Sequence, residues 1–436
     1  MRLRTNVCAV ATALLAAISL QPFNMVSAHA PHPILFGHHF TPPPPPPPGP
    51  PTLKAVPTVN VKDFGAKGDG TTDDTTSINN AVANAKSTHK VVLFPAGTFY
   101  HAGTLTFDSV AVTGVGPTSV LKANPGNEEN TALILTGTSA SITNMVVSTQ
   151  GVVDGDDSFP EATEGNIVVQ NATSFTVQHV TLIQGQNETG IFITGSNGGY
   201  CDSVDVNGYG TGAAPDTGVW IDNSQFVTVS NSLFQNQNDG IRMTHENGPT
   251  SSISILSNTI GTTTPNFGIR LAGINGDGVT GVGMLKNTIQ MANDNNGTYA
   301  AYFNNCNSVV FSQNTTSGGN LGVYLTGTGS GANSVTLNTI RGCGSAGVNV
   351  NSTTPTILAI VQNKFGECGL TDNSASSAVI LATGSAVNLA SVTVTNNSYQ
   401  GHANGLKFEV NGANLAAANI SGNTQTQTNL PGNPKN

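Results

Sequence analysis

Residues 216–243 read DTGVWIDNSQFVTVSNSLFQNQNDGIRM. Val219 and Ile221, Val227 and Val229, and Ile241 and Met243 alternate with variable residues, the period of strands that bury one face. The middle run ends at Asn231. Similar alternating runs end at Asn258, Asn287, Asn314, Asn338, Asn363, Asn397 and Asn423, at intervals of 24 to 34 residues. Each interval is about one coil of a solenoid, so stacking the coils sets these Asn in a ladder, with His179 and Asp202 in the equivalent earlier positions. A buried turn amide can bond the backbone of the next coil, so the ladder is read as scaffold.

Between ladder positions lies a second strand of common form: Gly or Ala, an apolar residue, a variable residue and another apolar residue. Successive copies are GIFIT, GVWID, GIRMT, GIRLA, AAYFN, GVYLT, GVNVN, AVILA and GLKFE. The apolar pair points inward and the variable residue outward. The outward column is therefore Phe192, Trp220, Arg242, Arg270, Tyr302, Tyr324, Asn349, Ile380 and Lys407, with neighbours about 4.8 Å apart. It contains the single Trp of the chain and two of its seven Tyr. Scarce residue types at positions that a solenoid does not need mark this column as the functional face.

The surroundings narrow the class. Of 436 residues 37% are hydrophobic and only 9% charged, with 15 Lys and Arg against 24 Asp and Glu, a net charge of −9. This describes a folded domain with a quiet surface and no basic face for nucleic acid. Arg2 and Arg4 precede an apolar run from Val7 to Leu20, and Ser27 and Ala28 follow, the pattern of a signal peptide cleaved after residue 28. The run is too short to span a bilayer, so a secreted product, extracellular or periplasmic and without membrane insertion, is expected. Residues 29–58 form a His- and Pro-rich linker whose seven consecutive prolines, Pro42 to Pro48, make a stiff spacer. The solenoid domain is expected over 59–430, with a short tail at 431–436.

That domain opens with VNVKDFGAKGDGTTDDTTSINNAVANA, residues 59–85. Gly65, Gly68 and Gly70 supply turn geometry, and Asp73 or Asp74 caps a helix carrying Ile78, Ala81, Val82 and Ala85 on one face. A strand at Val91–Phe94 and the sequence Pro95-Ala96-Gly97-Thr98-Phe99-Tyr100 follow. Residues 59–100 resemble the start of the pectate-lyase superfamily, in its rhamnogalacturonase/epimerase-like branch. The resemblance implies an all-β, right-handed, single-stranded parallel β-helix whose N-terminal helix caps the end and takes no part in catalysis.

The opening stretch also resembles the active-site coils of polygalacturonases, where one Asp precedes the first Gly and an Asp pair precedes the next strand. Here Thr217 and Asn238 replace two of those acids and only Asp239 matches, while Phe267-Gly268 stands where that family has His-Gly. Asp222 and Glu246 are left as a different acid/base pair if the chain hydrolyses glycosides. A lyase needs a group to neutralise a uronate carboxylate and a base to remove the adjacent proton. Arg242 and Arg270 suit the first need, and His245 or Tyr302 the second. The expected catalytic set is Arg242, His245, Arg270 and Asp239; the expected binding set is Phe192, Trp220, Asp222, Glu246, Tyr302 and Tyr324. The expected partner is an acidic polysaccharide, engaged by stacking rings and bidentate guanidinium groups.

No cofactor is fixed by these residues, calcium being possible, and no metal site is assigned. Calcium is one alternative to the Arg pair, and the acidic knot Asp154-Gly155-Asp156-Asp157 with Glu161 and Glu164 matches no standard calcium loop. Lysis of a uronate polymer is the leading reading, with a polygalacturonase-like hydrolase and a non-catalytic glycan-binding β-helix as alternatives. Oligomeric state is left open. Cys343 and Cys368 each follow a ladder Asn by five residues, and their stacking predicts a disulfide. Cys201 and Cys306 fall in other registers.

Overall fold

The computed structural model describes residues 56–125, 133–152, 166–186, 188–209, 217–262, 267–273, 278–291, 297–327, 332–352, 357–368, 377–381, 391–401, 408–410 and 419–427. The chain divides between Lys54 and Ala55. The expected signal peptide, most of the linker, the C-terminal tail, the acidic knot from Asp154 to Glu164, Asp216 and Lys407 lie outside the described residues.

The fold is a right-handed parallel β-helix. Each coil contributes three strands, and each strand pairs in parallel with its counterpart one coil on. Thus Thr217–Asp222, Gln225–Ser230 and Leu233–Gln235 are followed by Asp239–Thr244, Ser251–Leu256 and Thr259–Thr262. Inward residues such as Val219, Ile241, Ile269 and Val323 stack into one continuous apolar core. At the N-terminal end the helix Thr75–Thr88, here α1, buries Ile78, Ala81, Val82 and Ala85. Asp73 Oδ1 accepts from Thr75 N at 3.0 Å, whereas Asp74 turns back to accept from Lys67 N and Gly68 N, tying the glycine-rich turn to the helix start. Among the described residues no helix is long and apolar enough to cross a membrane.

The Asn ladder runs from Asn258 through Asn287, Asn314, Asn338, Asn363 and Asn397 to Asn423. At each step the Oδ1 of one Asn accepts both the backbone N–H and the side-chain Nδ2 of its predecessor, as Asn314 Oδ1 does from Asn287 at 2.8 and 3.0 Å. Each Nδ2 also donates to a carbonyl of the preceding coil, Asn314 Nδ2 to Met284 O at 2.9 Å. The residue before each of the first six Asn is left-handed: Ser257, Lys286, Gln313, Leu337, Gln362 and Asn396, with φ between 55° and 60°. That corner turns the chain and aims the amide along the stack.

Asn231 is a correction. It is itself the left-handed corner residue, at φ 50°, and donates to Asp202 Oδ1. Ser232 fills the ladder position, its N–H donating to Asn258 Oδ1 at 3.0 Å. His179, at φ 52°, is likewise a corner residue, and Asp202 pairs in register with Ser230, so neither stands in the ladder.

The disulfide is a second correction. Cys343 and Cys368 lie in register on adjacent coils, as expected, but both are free and buried. The neighbouring Cys368 thiol, together with burial, raises the Cys343 pKa. Each sulfur also leans on the carbonyl two residues before it, at 3.8 Å from Arg341 O and Gly366 O respectively.

Candidate functional site

The outward column exists in the register that the strand motif implies. Phe192 pairs with Trp220, Trp220 with Arg242, Arg242 with Arg270, Arg270 with Tyr302, and Tyr302 with Tyr324. Its N-terminal part does not face solvent. Phe192 and Trp220 are each 3% exposed and pack with Ile134 and Val168 in a second apolar cluster, corrected from ring surfaces open to a sugar. Trp220 Nε1 donates to Thr244 Oγ1 at 2.9 Å, and that hydroxyl donates to Asp222 Oδ1 at 2.7 Å. Trp220→Ala is therefore expected to cost about 3–5 kcal/mol of stability through the cavity it leaves. Thermal and denaturant melts check this, and an unchanged midpoint with weakened glycan binding would return Trp220 to the surface.

Asp222 is also corrected as a ligand contact. It is fully buried, and its carboxylate accepts the backbone N–H groups of Glu246 (2.8 Å) and Asn247 (3.1 Å) besides Thr244. It shapes the turn that follows Asp239–Thr244, the turn that presents His245 and Glu246.

The accessible chemistry begins at Arg242. Its guanidinium carbon lies 3.7 Å over the Trp220 ring, and Nη2 is 3.7 Å from Glu246 Oε1. On the next coil Arg270 Nη1 is 3.5 Å from Asp239 Oδ2, and its guanidinium lies 4.7 Å over Phe267. The two cations are thus neighbours, each with one carboxylate and one ring. Both ion pairs are longer than a close hydrogen bond, and both Nε atoms are buried without a hydrogen-bond partner. Neither guanidinium is fully matched by its own neighbours. The His245 Nδ1 is likewise buried and unpartnered.

The carboxylates respond to this setting. Burial raises the Asp239 pKa, with Arg270 and Arg242 pulling the other way. Burial raises Glu246 too, opposed first by Arg242. Arg242 is lowered by burial and by its proximity to Arg270. A raised Asp239 pKa means that the folded state binds a proton more tightly than the unfolded chain. Its contribution to stability is present below the unfolded pKa and is lost as pH rises through the folded value. Asp239→Asn is expected to remove this fall, so the difference in melting temperature between variant and wild type should widen in favour of the variant as pH rises above about 4. A flat difference would place Asp239 in water.

Toward the C-terminal end the column becomes aromatic. Tyr299 and Tyr302 stack at 5.6 Å with 22° between planes, Phe267 lies 5.0 Å from Tyr302, and Tyr324 lies 5.2 Å from Tyr299. All four are half-buried, leaving ring surface outside. Tyr299 was not legible as a site residue. It belongs to the column that precedes each Gly, in register with Asp239 and Phe267, and that column was the available signal. Among the described residues no three His, Cys, Asp or Glu side chains converge on one point.

The site is thus a cation pair and a ring platform spread over two neighbouring columns of a parallel β-helix. Residues 58–263 match the family described as rhamnogalacturonase A/epimerase, pectate lyase-like, in line with the resemblance carried by residues 59–100. No curated protein matches the chain in sequence. Among solved structures, pre-mature bacteriophage phi29 gene product 12 is similar at 14% identity and TM-score 0.60, covering 84% of this chain. The chain spans only 55% of that protein. The Streptococcus pneumoniae surface protein and adhesin PfbA is similar at 15% identity and TM-score 0.60, covering 85% of this chain and 100% of its own. The catalytic unit of the thermostable GH87 α-1,3-glucanase from Streptomyces thermodiastaticus is similar at 16% identity and TM-score 0.52, over 87% and 71% of the two chains. At these identities the likeness is one of fold.

Proposed function

We propose that this chain is an exported β-helix protein that cleaves an acidic, uronate-containing polysaccharide by β-elimination. The observation that carries the reading is the pairing of Arg242 with Arg270 on adjacent coils, each half-engaged by a carboxylate and each with unused donors. A uronate carboxylate seated between them would receive charge-assisted hydrogen bonds, which lower the pKa of the neighbouring C–H and stabilise the enolate formed there.

Glu246 is the proton acceptor in this reading. It is the more exposed of the two carboxylates, its side chain being 36% accessible against 3% for Asp239, and it lies beside Arg242. It takes the proton α to the carboxylate, the electron pair forms the ring double bond, and the glycosidic oxygen leaves from the next carbon with the bonding pair and takes a proton from water. Asp239 orients Arg270. Phe267, Tyr299, Tyr302 and Tyr324 offer ring faces to the sugars that follow along the helix axis.

The test is a panel of pectate, alginate and rhamnogalacturonan, followed by ultraviolet absorbance of unsaturated ends and by reducing-end release. Arg242→Ala and Arg270→Ala are each expected to weaken turnover or binding of the active substrate by about 1.5–3 kcal/mol. Higher salt should weaken the acidic ligand and spare neutral glycans. Reducing ends without the unsaturated chromophore would indicate hydrolysis, and retention without products would indicate an adhesive role. Wild-type activity in both Arg variants would move the substrate site to another face.

A further inference from the structure

At the edge of the outward sheet, N-terminal to the Arg pair, Asn166, Gln184 and Glu188 form a buried polar network with Thr149. They are 0%, 2% and 3% exposed. The Thr149 hydroxyl donates to Glu188 Oε2 and accepts from Asn166 Nδ2 and, at 3.0 Å, from Gly185 N. Gly185 N also donates to Glu188 Oε2 at 2.8 Å. Gln184 Nε2 donates to the backbone oxygens of Glu188 at 2.7 Å and Thr217 at 3.2 Å.

These bonds fix both amides. Turning Gln184 over would set its oxygen against two carbonyl oxygens, and turning Asn166 over would set its oxygen against a hydroxyl whose proton is already given to Glu188. What remains are Asn166 Oδ1 and Gln184 Oε1, both buried and both without a hydrogen-bond partner. The backbone next to Gln184, at Gly185, is itself enclosed by oxygens. A Cβ built on Gly185 would stand 2.5 Å from Val152 O, 2.8 Å from Thr149 O and 3.0 Å from Glu188 Oε2. The unmet capacity of this network consists of oxygen lone pairs alone, next to a carboxylate.

Amide, carbonyl and carboxylate oxygens together are the ligand set of a hard divalent cation. We propose that Glu188, Asn166 and Gln184 hold a calcium ion that braces these coils against one another. The site is independent of the Arg242–Arg270 pair and does not require the lyase reading.

The test is calcium binding by the full chain, stripped with a chelator and titrated with calcium chloride, together with melting curves at each calcium level. Calcium should bind one site per chain and raise the melting temperature. Glu188→Gln should weaken binding at least about tenfold, because affinity follows the charge of the ligand set. Asp239→Asn should leave calcium binding unchanged. Asn166→Asp is the discriminating variant: it should bind calcium more tightly than wild type, and its stability should fall without calcium and recover with it. If Glu188→Gln does not fold, Asn166→Asp decides. No uptake at millimolar calcium would overturn the proposal in favour of ordered water. Uptake unaffected by Glu188→Gln would overturn it in favour of the acids at Asp154–Asp157, and so would Asn166→Asp that is destabilised equally with and without calcium.

Discussion

Glu246→Gln is expected to lower turnover on an acidic polysaccharide by about 10²–10⁴-fold while leaving binding and the melting temperature close to wild type. The carboxylate lies 3.7 Å from Arg242 and already has a raised pKa because it is partly buried. When a substrate carboxylate takes up the Arg242 donors, the hold of Arg242 on Glu246 weakens, and the group becomes a stronger base at the moment it is needed. It works deprotonated, so turnover should rise with pH through an acid limb above the ordinary glutamate range, and that limb should vanish in the variant. His245 is the internal control. If His245→Ala abolishes turnover and Glu246→Gln keeps both rate and pH limb, the proton acceptor is the histidine, whose Nδ1 is buried beside the same turn.

Asn314→Leu should destabilise the protein by about 3 kcal/mol, each buried group left without its partner costing about 1–3 kcal/mol. The loss is large because one amide makes four hydrogen bonds, one of them from Asn314 Nδ2 to Asn338 Oδ1 at 3.1 Å. Asn314 Oδ1 accepts the N–H and Nδ2 of Asn287, and its own Nδ2 satisfies Met284 O. Leucine fills the volume and satisfies none of them. Asn423→Leu is the comparison, since Asn423 is only partly buried and water can replace its bonds; its shift should be well under half as large. Equal shifts in denaturant melts would mean that the ladder contributes through shape alone.

Much of the scaffold was legible because a solenoid repeats. The Asn column, the Gly-apolar-variable-apolar strands and the buried face of α1 all follow from the short-range spacing of residue types, and the structure has them in register. The ladder was misplaced only at its start, where Asn231 follows the alternating run as the true ladder residues do. A left-handed corner accepts Asn as readily as the ladder does, so one letter fits both positions. Ser232 could replace the amide because its hydroxyl also serves a backbone N–H of the preceding coil, accepting from Val204 N at 3.1 Å.

The functional column divided differently. Period two told which side chains leave the coil, but not what lies over them. Phe192 and Trp220 are outward in register and yet nearly inaccessible, whereas Tyr302 and Tyr324 in the same column keep ring surface outside. The sequence by itself determined the repeat, the strand faces, the capping helix and the column in which the Arg pair stands, because these depend on neighbours within one coil and on strict stacking. Only the tertiary structure decided that Asp222 clamps a turn, that Arg270 meets Asp239 while Arg242 meets Glu246, and that Tyr299 joins the ring platform. Apart from the Arg242–Glu246 contact, which spans four residues around a turn, those outcomes depend on side chains reaching between coils about 4.8 Å apart, over separations of more than 20 residues that local periodicity does not encode.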